Sequence, residues 1–422
     1  MTTLKSIRGF HDIHETITTW QQVEQIMKSL ASQYGYNEIR TPMLEDSRLF
    51  ERSIGATSDI VHKEMYTFND KNEQSVSLRP EGTAAVVRSC IENNLLYTQP
   101  RKYYYLGSMF RRERPQRGRL RQFHQFGLEC LGHEEPYADV EQLCIIQRLW
   151  RTLGIEDKIT LEINYIGSQA TRTTYTAALK EYYKPHKDQM SDIDQIRWQD
   201  NTLRLLDSKA SMLVELNKSA PTIDKFYSEK EIEIVKLIEL LCQENHINYT
   251  HNRRLMRGLD YYSGLIYEWK SECLGAQGTV CGGGRYDQLF EQLGAQRTGA
   301  CGFSIGIERL IELTGELNPL LDQPCIHLIT PTDTTLPKLM TLVESLRDTL
   351  PTHQFYLHTQ CGKIGSMIKK AVKMKANAII ILGDEELKEA VVTMKQLDTQ
   401  EQRTVAITEL ADTINEILPC IH

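Results

Sequence analysis

The sequence predicts an α+β chain: an antiparallel sheet with flanking helices, a helical insertion within it, and a separate α/β domain at the C-terminal end. Three observations lead there. Two strand-like runs, KYYYLGSMF and RQFHQFGLECLG, flank an arginine-rich loop that contains proline and glycine. From about residue 167 to 249 the composition turns to charged helical patterns such as DNTLRLLDSKASMLVEL, without turn signals at strand spacing. Beyond the Pro- and Gly-marked stretch TGELNPLLDQP, four apolar strands (CIHLIT, QFYLHT, AIIILG and VVTMKQL) alternate with helical runs such as LPKLMTLVESLRDTL and IGSMIKKAVKMKA.

The expected organisation is a first domain over 1–320 with its insertion at about 167–249, a linker at 315–324, and a second domain over 325–422. A length of 422 residues suits two or three cores. With 41% hydrophobic and 25% charged residues, the chain has a globular balance. No apolar run approaches the ~20 residues that cross a bilayer, and MTTLKSIRGFHDIHE lacks the apolar stretch of a secretion signal. A cytoplasmic location is expected, with no membrane partner. The ten cysteines lack the paired spacing of a zinc knuckle, so neither disulfides nor structural zinc are expected. A net charge of −7 argues against indiscriminate coating of nucleic acid but leaves room for local basic patches.

In chain order, Trp20, Val23, Ile26, Met27 and Leu30 recur at helical spacing, and Gly35 stands where a C-cap belongs. NEIRTPMLED is extended, and Pro42 keeps it to an edge because it cannot donate to a ladder. SVSLRP runs as a strand into the helix EGTAAVVRSCIENN, with Glu81 and Thr83 at the junction. After the insertion, strands return at YYSGLIYEWK, GTVCGGGRYDQLFEQLG and ACGFSIGIERLIEL.

Strand alternation sorts RQFHQFGLECLG into two faces. Phe126, Leu128 and Cys130 share the core face. The opposite face carries Arg121, Phe123, Gln125, Gly127 and Glu129: a ring, an amide, room for a ligand at the glycine, and a carboxylate. On that pattern alone, a sheet with one wet face is the favoured explanation. The preceding loop decides the matter, because FRRERPQRGRLRQ packs six arginines that repel one another and need an anionic partner. Guanidinium forks match phosphate oxygens, so a polyphosphate or an RNA end is the natural ligand. Arg257, in MRGLDYYSG, taken alone reads as a structural ion pair. Arg309, in GFSIGIERLIEL, opens a helix where a phosphate is favoured. CGGGRYDQL does not fit a dinucleotide fingerprint, and no Walker lysine loop is present.

These residues carry a resemblance to the class II aminoacyl-tRNA synthetases, and among them to the bacterial-type histidyl-tRNA synthetase family. NEIRTPMLED resembles motif 1, MFRRERPQRGRLRQFHQFGLE motif 2 and GFSIGIERL motif 3, while RGLDYYSG and GGGRYDQL resemble the two signatures of the histidine enzymes. Gln288 departs from the more usual GGGRYDGL. The resemblance implies an antiparallel catalytic core with a helical insertion, a C-terminal anticodon-binding α/β domain, and a homodimer formed through motif 1. It implies ATP-dependent attachment of L-histidine to tRNA(His) through a histidyl-adenylate, with ATP and Mg²⁺ as the small partners and no metal bound by the protein itself.

By resemblance, Arg111 and Arg257 are the catalytic cations at the α-phosphate. Arg119 and Arg309 hold the β/γ end, and Phe123 with Arg309 sandwiches the adenine. Glu129 and Tyr262 pair with the imidazole nitrogens, Glu81 and Thr83 hold the ammonium group, and Gln125 and Tyr261 lie near the carboxylate. For Glu81 and Thr83, helix capping is an equal explanation of the residues alone. Arg114, Gln116 and Arg117 are expected at the tRNA acceptor end. Lys363, Lys369, Lys370 and Lys373 face either the anticodon stem or plain solvent. The rival expectation is a catalytically inactive paralogue that regulates ATP phosphoribosyltransferase in histidine biosynthesis. Such paralogues lose RGLDYY-type residues, which this chain keeps.

Overall fold

Two ten-residue strands, Arg101–Phe110 and Gln122–Leu131, pair antiparallel from Arg101↔Leu131 to Phe110↔Gln122, and the main sheet grows outward from them. The computed structural model of the chain describes residues 3–55, 58, 60–315 and 323–419. Residues 316–322 of the expected linker therefore lie outside the described residues, as does Cys420. The chain divides into two compact units, Met1–Leu317 and Asn318–His422.

In the first unit eight strands form one sheet. Their order is Asn37–Glu38, Arg101–Phe110, Gln122–Leu131, Ala300–Gly306, Thr279–Arg285, Leu265–Lys270, Thr160–Tyr165 and Thr250–His251. The interior pairings are antiparallel, as expected, but both edge strands pair in parallel. Each edge strand is separated from its partner by a long helix-bearing stretch, and parallel pairing needs such a crossover. Pro42 falls between the short strands Asn37–Glu38 and Leu44–Asp46, where no ladder donor is required.

Phe126, Leu128 and Cys130 point to one side of the sheet and enter a core with Trp20, Val23, Met27 and Leu30 of the helix Ile17–Gln33. That helix ends in a Schellman arrangement. Gly35 is left-handed (φ +79°), its N–H donates to the Ser32 carbonyl, and the Tyr36 N–H donates to the Ala31 carbonyl. Helix Tyr137–Thr152, an element beyond those expected, covers the same face and buries Leu143, Ile146, Leu149 and Trp150.

The insertion is helical, with Gln169–Tyr183, Asp192–Asp200, Ser211–Asn217 and Glu229–Glu244 as its α-helices. One carboxylate fastens its first helix to its last. Glu231 accepts from the Ser168 N–H (2.6 Å) at the start of the first helix and from the Ser228 N–H (2.8 Å) at the start of the last. Burial pushes this group up, yet those amides and the neighbouring hydroxyls outweigh burial and hold it at about 2.

Among its described residues the second unit has five strands rather than the four expected, in the order Gln354–Leu357, Cys325–Ile329, Ala378–Ile381, Val391–Gln396 and Gln402–Ala406. The unexpected strand is QRTVA at the edge, where Val405 is the buried residue. A short polar edge strand carries little hydrophobic alternation to reveal it.

Candidate functional site

The open face of the main sheet carries a cavity of about 250 Å³. Its walls come from every part of the first unit that carries a chemistry-bearing motif. Glu81 and Thr83 open the helix Thr83–Glu92, Arg111 and Arg119 flank the arginine loop, and Phe123 and Gln125 lie on the strand beyond it. Arg257, Tyr261 and Tyr262 come from the loop after the insertion, and Arg309 from the first turn of the helix Ile307–Thr314.

Glu129 lies directly behind this wall, fully buried. Thr83 Oγ1 donates to its Oε1 (2.7 Å), and the Tyr286 hydroxyl donates to its Oε2. Thr83, Tyr286 and Gly302 all line the cavity, and a Cβ on Gly302 would meet Glu129 Oε2 at 1.9 Å. Only a glycine there lets the carboxylate approach the cavity floor. Burial raises the Glu129 carboxyl to about 8, against the lowering effect of its two hydroxyl donors. Glu81 accepts from the backbone N–H of Thr83 (2.7 Å) and Ala84 (2.9 Å), so its capping role is real while its residue also lines the cavity.

The guanidinium groups crowd one another. Arg111 donates through Nε to the Pro80 carbonyl (2.9 Å) and lies 5.3 Å from the centre of the Phe123 ring. Arg309 donates through Nε to the Gly118 carbonyl (3.0 Å) and through Nη1 to the Thr279 carbonyl. Burial, followed by the charges of Arg119 and Arg111, holds the Arg309 pKa down. Burial works against the charge of Arg257 as well, but Tyr262 and Glu268 more than compensate, and its pKa rises. Arg257 pairs with Glu268 and faces the Tyr262 ring at 5.8 Å. A Cβ on Gly282 would meet its Nη1 and Nη2 at 2.5 Å, so the guanidinium lies flat against bare backbone. Clustered buried cations of this kind are an anion-binding arrangement.

Among the polar atoms beside the cavity without a hydrogen-bond partner among the described residues are Gln125 Oε1, an acceptor, and Arg257 Nε, a donor. Buried groups of this type are normally satisfied, so both are suited to a bound molecule.

Gly127 does not leave room for a ligand, contrary to expectation. The space over it is filled by the Tyr105 ring, its direct cross-strand neighbour, which also packs on Gly82; a Cβ on either glycine would meet Tyr105 Cζ at 2.3 Å. The face is also dry rather than wet at Gln125 and Glu129. Arg114, Gln116 and Arg117 do not line the cavity. They form the exposed tip of the loop, closed by reciprocal backbone bonds between Gln116 and Arg119, with Gly118 left-handed (φ +66°) and Arg117 ion-paired to Glu312. In the second unit Lys363 and Lys370 border a hollow of about 410 Å³ with Tyr356 and His358, while Lys369 and Lys373 are exposed on the same helix.

Glu113, Glu268, Gly282 and Tyr286 are lining residues that the sequence patterns do not assign. Glu113 pairs with Arg119. Its position inside RRERPQ was a visible signal, as was that of Tyr286 inside GGGRYD.

A mainly antiparallel sheet with an arginine-rich hairpin loop, an RGLDYY loop and an arginine-bearing helix around one cavity defines a class II aminoacyl-tRNA synthetase fold. Residues 9–310 match the family model described as histidyl-tRNA synthetase, and residues 327–417 match that described as anticodon binding domain. The chain belongs to the histidyl-tRNA synthetase family. It is 31% identical to apo histidyl-tRNA synthetase of S. aureus, over 97% of this chain and 99% of that one, with a TM-score of 0.82. It shares its fold with histidyl-tRNA synthetase from Nostoc sp. PCC 7120 (18% identity, 99% and 100% covered, TM-score 0.67). It also shares it with an ATP phosphoribosyltransferase regulatory subunit/histidyl-tRNA synthetase from Bacillus halodurans C (19% identity, 91% and 99% covered, TM-score 0.65).

Proposed function

We propose that the chain attaches L-histidine to tRNA(His) in two steps, forming histidyl-adenylate from histidine and ATP with release of pyrophosphate, then transferring histidine to the tRNA with release of AMP. The observation that carries this reading is the convergence of Arg111, Arg257 and Arg309, from three distant parts of the sequence, on one cavity backed by Glu129.

The histidine carboxylate is already a nucleophile, so adenylate formation needs no general base. It attacks the α-phosphorus in line and the pyrophosphate oxygen departs. Arg111 and Arg257 neutralise the charge gathered at the α-phosphate, while Arg119 and Arg309 hold the β/γ end. Catalysis of this type is chiefly positioning and electrostatic stabilisation. ATP enters as its Mg²⁺ complex. Of the lining carboxylates, Glu113 and Glu268 are each paired with an arginine, Glu81 accepts from the Thr83 and Ala84 N–H groups and Glu308 from the His124 N–H, so the phosphate oxygens themselves would carry the ion.

Histidine is selected by polar partners for its ring. Glu129 and Tyr262 meet the imidazole, Glu81 and Thr83 the ammonium group, and Gln125 and Tyr261 the carboxylate end. Leaving a buried partner unmatched costs about 1–3 kcal/mol, which disfavours other side chains. The exposed Arg114, Gln116 and Arg117 suit the acceptor end of the tRNA, and the family match over 327–417 supports RNA binding by the second unit. The reading includes a cytoplasmic homodimer. Exposed Met43, Leu44 and Phe68 lie on and beside a three-stranded sheet of Leu44–Asp46, Ser75–Leu78 and Tyr66–Asn69 and support pairing of two copies, and no described helix is long and apolar enough to cross a membrane.

A second reading, a catalytically inactive regulatory subunit of ATP phosphoribosyltransferase, draws support from the fold shared with the Bacillus halodurans protein. The retained Arg257, Tyr261 and Tyr262 favour the ligase. Histidine-dependent ATP–pyrophosphate exchange, run against the other amino acids, separates the two. Exchange with histidine alone is expected, and its absence would leave the regulatory reading.

A further inference from the structure

The loop 257–262 alternates in function along its length. Arg257, Leu259, Tyr261 and Tyr262 line the cavity, whereas Gly258 and Asp260 engage partners elsewhere. Asp260 Oδ1 accepts from Asn201 Nδ2 (3.1 Å) and Arg204 Nη2 (2.9 Å), and the same Arg204 nitrogen donates to the Gly258 carbonyl (3.2 Å). Both donors belong to the insertion. On another side, the Asp260 N–H donates to the Ile54 carbonyl (3.4 Å), and a Cβ on left-handed Gly55 would meet Asp260 Oδ2 at 2.3 Å. One residue thus joins three segments that are remote in sequence, through its carboxylate to the insertion and through its N–H to Ile54, and it lies three residues from the cation Arg257.

The donors themselves are well anchored. Arg204 sits in the turn Thr202–Asp207, whose Leu205 and Leu206 are buried in the same apolar cluster as Tyr261 and Tyr262. Asn217 donates to the carbonyls of both leucines (3.0 and 3.1 Å), and Thr202 donates to the Trp198 carbonyl (2.9 Å). A displacement of this turn is therefore felt at Asp260 through two hydrogen bonds.

We propose that Asp260 is a positioning residue through which the helical insertion aims Arg257, Tyr261 and Tyr262 at the reacting groups. The inference rests on the adenylate-forming function proposed for the chain. Its energetic logic is a contrast of scales. A partly exposed ion pair contributes little to stability, whereas a misplacement of roughly 1 Å at the reacting atoms lowers a rate on the order of 100-fold. A device built for positioning therefore shows in turnover and scarcely in folding.

The test uses the full chain and the variants Asp260→Ala, Arg204→Ala and the charge-swapped Arg204→Asp/Asp260→Arg. Melting temperature, ATP KM, and the kcat of histidine-dependent pyrophosphate exchange per titrated active site are measured. Both single variants are expected to lose roughly 10- to 100-fold in kcat with ATP KM and melting temperature little changed, and the swap is expected to restore part of the rate. Wild-type kcat in both single variants would overturn the proposal, as would a loss matched by an equal loss of folded protein. Since Arg204 and Asp260 lie on different elements, misfolding of one variant leaves the other to decide. Absence of exchange in the wild type would instead sink the proposed function itself.

Discussion

Tyr286 donates its hydroxyl hydrogen to Glu129 Oε2, while Thr83 occupies Oε1 at 2.7 Å. The carboxylate is thereby fixed in plane and orientation from two sides before any ligand arrives. Tyr286 also contacts Tyr261, with ring centroids 5.7 Å apart, so the buried acid and the RGLDYY loop share a wall. Burial, then the nearby Glu129 charge, raises the Tyr286 pKa, which keeps the phenol protonated as the donor.

Replacing Tyr286 with Phe keeps the ring contact and deletes one donor. The carboxylate then loses a bond that holds it toward the cavity, a loss of about 1–3 kcal/mol for a buried group. The expected result is a rise in histidine KM of roughly 5- to 150-fold with ATP KM unchanged, read from pyrophosphate exchange. An unchanged histidine KM would show that Tyr286 only fills space.

Glu129 also predicts a pH dependence. Its carboxyl rises from the ordinary 4.5 to about 8 in the folded chain, chiefly by burial. Between those values the folded state holds a proton that the unfolded chain has released. The contribution is fully present below the unfolded value and is lost as pH rises through about 8. Without ligand, wild-type melting temperature should therefore fall over this window, and Glu129→Gln should flatten the fall while weakening histidine binding. Parallel pH profiles for the two proteins would refute the assignment.

The phosphate half of the site is legible in sequence because six arginines in one short stretch are physically intolerable without an anion. Glu129 and Gln125 are legible because strand alternation separates them from Phe126 and Leu128. Tyr105 is not legible in this role, since its place over Gly127 depends on the cross-strand register, which no local pattern states. Gly282 and Gly302 are hidden for the same reason: each is a glycine because of an Arg257 or Glu129 side chain arriving from another element. The insertion announces itself by composition, yet the carboxylate that fastens it, Glu231, looks like any first-turn acid. The parallel edges of the main sheet escape notice because two-residue strands have no period to detect.

Gly282 yields a sharper test of the site than any lining side chain. A methyl group there collides with both terminal nitrogens of Arg257 at 2.5 Å and must push the guanidinium away. Gly282→Ala is expected to lower the kcat of exchange by about 100-fold or more, in line with losing one preorganised charge at a reacting centre. Gly35→Ala is the control: it strains a left-handed cap by about 1–2 kcal/mol, with no heavy atom within 4 Å of the new Cβ. It should lower the melting temperature and leave kcat unchanged.

Arg285 and Asp139 form an ion pair buried between the sheet and the helix Tyr137–Thr152, away from the chemistry. Arg285 also donates to the carbonyls of His133 (2.9 Å) and Glu135 (3.1 Å) and to Asp287 (3.0 Å). Asp139 is 1% exposed, and burial raises its carboxyl to about 6 even though Arg285 opposes the rise. Arg285→Met removes the cation and leaves an unpaired acid in the interior, a loss of about 3–5 kcal/mol. The Asp139 carboxyl then moves further up, so the folded variant retains its proton to a higher pH than the wild type does. Stability from that protonated form is lost as pH rises, and the deficit of Arg285→Met relative to wild type should be larger at pH about 8 than at pH about 6. Adding Asp139→Leu to the variant removes the ionisable group and should recover part of the loss at the higher pH. Urea denaturation of the three proteins at both pH values measures this directly, and a deficit that shrinks with rising pH would contradict the assigned role of Arg285 as the cation that keeps Asp139 ionised.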